Sequence, residues 1–177
     1  MVETFVEVSN SLESLNLHHR QIQTLLTAIR NKDSERSELV HELFVQLRVH
    51  SILEQQLLFS GILPIIGRDR VRAFCQDFFV MLANMLELEQ LDSNNSEFES
   101  ILKTIGDRFD KHVKEQELML FPELEARLSC SELSCIESRY RARRVELSDK
   151  MRAKMEHHAE EKDQSCSAPF ICRSRCA

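Results

Sequence analysis

Glycine and proline are scarce in this chain, and tryptophan is absent. The 177 residues include only three glycines and three prolines. Because the turns of β-sheet proteins depend on these two residues, such low numbers favour long uninterrupted helices and argue against a β fold. The length fits one domain that is large enough to bury a hydrophobic core.

An excess of positive charge is also lacking. The formal net charge of −6 argues against a general nucleic-acid or membrane-surface binder. The one basic run, residues 139–144, is short and flanked by acids, which is typical of a solvated helix face.

No apolar run reaches the ~20 residues that a helix needs to cross a bilayer. The N-terminus "MVETFVEVSN" has acids where a signal peptide has basic residues and an apolar core. We therefore expect a cytoplasmic protein that does not associate with membranes. Neither a Ser-His-Asp order nor a glycine-rich phosphate loop occurs, so we expect a binding protein or sensor rather than an enzyme.

The six cysteines are expected to be thiols, because disulfides are rare in cytosolic proteins. Five of them follow the fourth predicted helix and lack the closely spaced pairs of zinc sites. They are expected to be surface thiols, with redox sensing as the alternative; they are Cys130, Cys135, Cys166, Cys172 and Cys176.

Apolar residues recur at steps of three and four along most of the chain, which predicts amphipathic helices. The predicted helices span about residues 4–30, 69–91, 96–128 and 129–158, and the second helix runs from the break at residues 31–35 to about residue 60. "SGILPIIG" (60–67) is expected to end the second helix, and Pro122 to kink or end the fourth. The predicted capping residues are Asp33 or Ser34, Ser96 with Glu99, and Ser129 with Glu132.

Four such helices joined by short turns predict an all-α, antiparallel up-down-up-down four-helix bundle over residues 1–128. An additional C-terminal helix, residues 129–160, packs outside the bundle or mediates association. Residues 161–177 form a cysteine-containing flexible tail in this interpretation.

Polar residues interrupt the apolar seams of three of these helices. They are His19, His50, Glu54, His112 and Gln116. Burying a polar group without a partner costs roughly 2–7 kcal/mol. His50 and His112 should lie at similar heights, with His19 a turn or two lower. Neutral imidazole together with carboxylate oxygen suits iron, manganese or zinc.

Three stretches together resemble the hemerythrin-like (HHE) cation-binding domains. They are "LHHRQIQTLLTAI" (17–29), "HSILEQQLLF" (50–59) and "HVKEQELMLFPEL" (112–124). The resemblance covers about residues 8–128. It implies a four-helix bundle with a non-haem di-iron site, in which histidines hold the irons, two carboxylates bridge them, and an open position accepts O₂ or NO.

The resemblance implies ligand roles for particular residues. His19 matches the first-helix ligand, whereas His18 matches less well. His50 and Glu54 match the second-helix ligand and a bridging carboxylate, and His112 matches the fourth-helix ligand.

The second bridging carboxylate is less clear. Many members of the family place it four residues after the last histidine, where this chain has Gln116. Classical hemerythrins place it five residues after, where this chain has Glu117.

The third helix departs most from the family, because residues 71–91 contain no histidine. Phe74 and Phe78 lie on its seam, and Cys75 and Asp77 are the only plausible substitutes, neither pointing squarely inward. The protein would then hold one iron or two, or none.

The two metal positions would consequently differ. One would keep His19, His50, Glu54 and Glu117, and the other only His112.

A weaker resemblance links "RAFCQDFFVML" (72–82) and residues 96–120 to bacterial anti-sigma regulators, which are helical bundles without metal. Two functions thus remain open. The first is a non-haem iron protein for O₂, NO or redox sensing or for iron handling. The alternative is a metal-free helical regulator that binds a protein partner such as a sigma factor. Homo-oligomerisation is compatible with either.

Overall fold

The computed structural model describes residues 12–31, 35–92 and 95–166, with side chains up to residue 154. Five helices, and no strand, occur in this part of the chain. Helix α1 spans Glu13–Asn31, α3 spans Arg68–Leu88 and α5 spans Cys130–Cys166. Helices α2 and α4 each consist of three consecutive segments, namely Arg36–Leu53, Glu54–Phe59 and Ser60–Ile66 for α2, and Ser96–Glu115, Gln116–Leu120 and Phe121–Arg127 for α4.

The first four helices form a closed bundle, which confirms the predicted fold class. Each helix packs against the next, and α4 returns to α1. Helix α5 lies along the outside against α1 and α2. Glu137 of α5 accepts a hydrogen bond from the backbone N–H of Ser14, so it caps the start of α1.

The middle segments of α2 and α4 are π-helical, and both begin four residues after a histidine. Glu54 opens the first after His50, and Gln116 opens the second after His112. A π-helical turn is wider than an α-helical one and shifts every residue after it around the helix axis.

This shift corrects two predicted seam positions. The α-helical spacing predicted that Leu57 and Met119 face the core, but Leu57 is half-buried and Met119 is 60% exposed. Leu58 and Leu120 are fully buried in their place. The widened turn moves the seam by one residue, and the α-helical period cannot foresee this.

The two prolines differ in their effect. Helix α2 ends within the predicted stop at residues 60–67, since its last segment, Ser60–Ile66, contains Pro64 and is followed by Gly67. Helix α4 does not end at Pro122, which lies in the segment Phe121–Arg127 that follows the π-helical turn. The backbone N–H of Phe121 donates to the carbonyl of Gln116, so the hydrogen-bond register has already changed before the second proline.

Two of the predicted caps can be compared with the structure. Ser129 and Glu132 form the predicted capping box, with the Ser129 N–H donating to the Glu132 carboxylate over 2.8 Å. The prediction for α4 was wrong, since Asn95 caps this helix by accepting from the N–H of Glu97. Asp33 and Ser34 lie outside the described residues.

Helix α5 extends to Cys166, beyond its predicted end near residue 158. Cys172 and Cys176 lie outside the described residues, as does the rest of the tail from residue 167.

By length and composition alone, Arg36–Ile66 could also cross a membrane, since an 18-residue window reaches a mean hydropathy of 1.3. This is weak evidence for a membrane span, because the central helix of a bundle has the same composition. Here α2 packs against α1, α3 and α5.

Gly67 ends α2 and joins it to α3 with φ 81° and ψ 162°, a backbone region that is essentially restricted to glycine. We expect Gly67→Ala to lower the free energy of unfolding by about 1–3 kcal/mol. Gly61 is the matched control because it lies inside a helix and an added Cβ meets no atom within 4 Å. Gly61→Ala should raise stability by about 0.5–1 kcal/mol. Urea denaturation of both variants tests this, and equal stabilities would contradict it.

Candidate metal centre

Three histidines and one glutamate meet inside the bundle. The potential ligand atoms of His19, His50, Glu54 and His112 all lie within 4.8 Å of one another. Nε2 of His50 lies 3.2 Å from Oε1 of Glu54, and Nε2 of His112 lies 3.4 Å from the same oxygen. At most 1% of each residue is exposed to solvent, so the group is closed to bulk water.

Three helices supply these residues: α1 brings His19, α2 brings His50 and Glu54, and α4 brings His112. His50 and Glu54 project from the same face because they are one helical turn apart. The predicted match of His50 and His112 in height is seen in the 3.4 Å between their Nε2 atoms.

The expected offset of His19 by a turn or two was wrong, since its ring centroid lies 4.9 Å from that of His50. Helices α1 and α2 are antiparallel and joined by one turn. The position of a residue along the shared axis therefore depends on how far it lies from that turn. His19 lies twelve residues before the end of α1, and His50 lies fourteen residues after the start of α2. At 1.5 Å per residue these positions differ by only about 3 Å.

Helix α3 contributes an apolar wall instead of ligands. The ring of Phe78 lies 4.7 Å from that of His112 and 5.4 Å from that of His50, and Phe74 lies 5.7 Å from His112. Neither suggested substitute belongs to the ligand cluster, because Cys75 is only half-buried and Asp77 pairs with cations of α4.

Glu117, the fifth predicted ligand, lies beside the cluster of His19, His50, Glu54 and His112 and contacts His19. Nδ1 of His19 donates to Oε1 of Glu117 over 2.9 Å, which leaves Nε2 of His19 directed elsewhere. This hydrogen bond lowers the pKa of the Glu117 carboxyl. A carboxylate that binds the outer nitrogen of a ligand histidine fixes the tautomer and the ring orientation.

Three functional side chains were not among the predicted site residues. His18 is fully buried, with Nδ1 lying 2.8 Å from the Tyr140 hydroxyl and Nε2 lying 2.9 Å from Oε1 of Gln46. The Tyr140 hydroxyl also lies 2.9 Å from Nδ1 of His50. Only the composition could have pointed to Tyr140, because it is the only tyrosine of the chain and lies in a strongly polar helix.

Several buried polar atoms at this site have no hydrogen-bond partner. They are Nε2 of His19, both carboxylate oxygens of Glu54, Nδ1 of His112 and both side-chain polar atoms of Gln116. The 3.2 and 3.4 Å contacts of Glu54 with His50 and His112 are thus close polar contacts without hydrogen-bond geometry. Leaving such atoms unpaired costs about 1–3 kcal/mol each, and more when they are charged.

Electrostatics favours a neutral His50 and a neutral His18 near a charged Glu54 carboxylate. Burial lowers the pKa of His50 to about 4 and that of His18 well below its ordinary value. Burial opposes the ionisation of Glu54, but the adjacent His50 and His112 outweigh it and hold the pKa of Glu54 well below its usual range. Neutral imidazole and ionised carboxylate are the forms that bind metal ions.

The residues therefore fit one metal ion. Three imidazole nitrogens and a carboxylate suit iron, zinc and related transition metals. A second ion would need further ligands from α3 or α4, and the described residues of these helices place phenylalanines and an amide there instead.

No family model matches the sequence, and no curated protein matches it. Among solved structures, a hemerythrin HHE cation-binding domain-containing protein from Mycobacterium kansasii is similar, with a TM-score of 0.70. The two are 19% identical, and the match covers 78% of this chain and 87% of the other. At this identity the likeness shows the fold, which is hemerythrin-like as the resemblance implied. Nothing in these comparisons supports the anti-sigma resemblance.

The burial of His50 makes the metal-free protein sensitive to acid. With a pKa of about 4 in the folded state against 6.5 unfolded, His50 takes up a proton only on unfolding between these pH values. Stability should therefore fall as the pH falls through this window, by about 3 kcal/mol from His50 alone. Urea denaturation between pH 7 and pH 4 measures the change.

The control for this experiment compares two positions on α2. His50→Gln should flatten the decline, whereas His41→Gln, at a half-buried position outside the cluster, should retain it. A decline that is equally steep in both variants would contradict the assignment to His50.

Proposed function

We propose that this protein binds one non-haem iron ion between α1, α2 and α4 and uses it in O₂, NO or redox sensing or in iron handling. The ligands are His19, His50, His112 and Glu54. One observation carries the proposal, namely that buried potential ligand atoms from three helices converge within 4.8 Å, among them Nε2 of His19 and the Glu54 carboxylate, which lack hydrogen-bond partners.

The physical support is the cost of these groups in a metal-free protein. A buried carboxylate with no hydrogen-bond partner on either oxygen is among the most expensive groups that a fold can enclose. A cation bound by Glu54 and the unpaired Nε2 of His19 satisfies these atoms at once. A hydrogen-bonded polar core, the alternative interpretation, would show them paired with one another.

Each part of the protein has a distinct role around the ion. Glu117 holds His19 with Nε2 free to bind, through the 2.9 Å hydrogen bond at Nδ1. Phe74 and Phe78 exclude water on the α3 side. When bound, an iron ion that takes more than four ligands supplies an open position for a small molecule and a change of oxidation state.

The similar M. kansasii protein is named for a cation-binding domain, and this agrees with the proposal that the present chain binds a metal. The donor set admits zinc as well as iron, so the identity of the metal is part of the proposal. We favour a sensor or carrier over an enzyme because the buried cluster leaves little room for a substrate larger than a diatomic molecule.

Metal analysis of protein purified anaerobically with iron tests the proposal. We expect about one iron per chain, from the single cluster described. Glu54→Ala and His112→Ala should each remove it, because each deletes a ligand. His41→Ala is the matched control and should retain iron, since this histidine lies on α2 outside the cluster.

Two results would count against this function. Less than about 0.2 iron per chain that His50→Ala does not change would favour the metal-free regulator, which binds a protein partner instead. Full retention of iron by both Glu54→Ala and His112→Ala would refute the ligand assignment.

Glu117→Ala distinguishes a ligand from a residue that orients one. If Glu117 only orients His19, the variant should keep the metal with an affinity lowered about 10- to 100-fold, as is usual for such partners. Competition against a metal-binding dye measures the affinity. Complete loss of iron would instead support the predicted direct ligation by Glu117.

A further inference from the structure

A line of hydrogen bonds connects the surface of the protein to His50 through helix α5. From the outside inward it joins Arg152, Glu42, Gln46, His18, Tyr140 and His50. Two of the six residues, Arg152 and Tyr140, belong to α5. The four innermost side chains are each at most 6% exposed.

The outer end fixes the direction of every bond in the line. Arg152 donates two hydrogen bonds to the carboxylate of Glu42, of 2.9 and 2.7 Å. Oε1 of Glu42 lies 2.6 Å from Nε2 of Gln46. Since a carboxylate only accepts, the NH₂ group of Gln46 must face Glu42. Its carbonyl oxygen Oε1 therefore faces His18.

The next bonds follow from the number of protons that each group carries. Oε1 of Gln46 accepts, so Nε2 of His18 must carry the proton, and Nδ1 of neutral His18 is then an acceptor. The Tyr140 hydroxyl donates its one proton to that Nδ1. Its oxygen consequently accepts from Nδ1–H of His50, which leaves Nε2 of His50 with a lone pair directed at Glu54 and His112.

We propose that Tyr140 is a positioning residue that holds His50 in the Nδ1–H tautomer, so that helix α5 completes the metal centre. His18 is held in the opposite, Nε2–H tautomer by the same line of bonds. The consequence for metal affinity rests on the proposed function, whereas the two tautomers follow from the hydrogen bonds alone.

The reverse direction would let Nε2–H of His50 donate to Oε1 of Glu54, 3.2 Å away, but it is disfavoured at the outer end of the line. It would place a lone pair of His18 against the carbonyl oxygen of Gln46, unless the amide turned round. A turned amide would place that oxygen against Glu42, whose pKa is lowered chiefly by the hydrogen bond from Arg152. A doubly protonated His18 is opposed by burial, which lowers its pKa well below the ordinary value.

The line of bonds is an orienting device and not a path for protons. A proton that moved outward from His50 could reach His18 but would stop there, because the amide oxygen of Gln46 is not a base at ordinary pH. His19 receives the equivalent support from Glu117. His112 has no comparable support, since its buried Nδ1 lacks a partner among the described residues.

Nitrogen NMR of histidine-labelled, metal-free protein tests the tautomers directly. We expect a protonated Nδ1 and an unprotonated Nε2 for His50, and the reverse pattern for His18. In Tyr140→Phe, which keeps the ring but removes the hydroxyl, His50 should become a mixture of tautomers. Identical tautomers for His18 and His50 in the wild type would overturn the proposal.

The second measurement is the affinity for Fe²⁺ and for Zn²⁺ by competition with a metal-binding dye. Tyr140→Phe should bind both ions about 10- to 100-fold more weakly. Leu133→Ala is the matched control, because it removes another buried side chain of the same helix that forms none of the hydrogen bonds of the line. It should lower stability but leave the tautomers and the affinity unchanged.

The outcomes separate this proposal from the proposed function. If the wild type binds neither ion but shows the two opposite tautomers, the function fails and the orienting role stands. If the wild type binds metal and Tyr140→Phe binds it equally well with His50 unchanged, the orienting role is refuted. Should Tyr140→Phe not fold, Gln46→Leu removes the acceptor of His18, and an unaltered His18 tautomer would refute the proposal equally.

Discussion

The enclosure of the Glu54 carboxylate is the constraint on which the rest of the structure depends. It is completely buried, with neither oxygen hydrogen-bonded, and two imidazole nitrogens lie 3.2 and 3.4 Å from one of its oxygens. A buried charge destabilises the folded protein unless polar or oppositely charged groups surround it. The three histidines and the aromatic wall of α3 form that environment, and an ion would complete it.

The two π-helical turns show how the backbone serves this centre. They open four residues after His50 and His112, so each widened turn lies at the level of the cluster. Glu54 and Gln116 begin these turns and point inward, whereas the next residue of α4, Glu117, reaches His19 from the side. Helices α2 and α4 thus share the same arrangement of a histidine followed by a π-helical turn. The centre is nevertheless asymmetric, because the turn begins with the carboxylate of Glu54 in α2 and with the amide of Gln116 in α4.

Helix α5 connects the C-terminal part of the chain to the bundle through polar contacts at three places. It caps α1 through Glu137, reaches His50 through Tyr140, and binds α2 at the surface through Arg152. These polar contacts add to the packing of α5 against the outside of α1 and α2. The hydrophobic core that it covers joins Leu133 and Tyr140 to buried residues of all four bundle helices.

The sequence by itself determined the helical class, the bundle and the inward residues His19, His50, Glu54 and His112, because apolar period and polar interruptions are local properties of the chain. Only the tertiary structure decided which atoms meet. The π-helical turns moved the seam from Met119 to Leu120, since their hydrogen bonds are chosen by packing and not by residue type. The roles of His18, Gln46 and Tyr140 likewise depend on contacts between distant segments, which no spacing along the chain encodes.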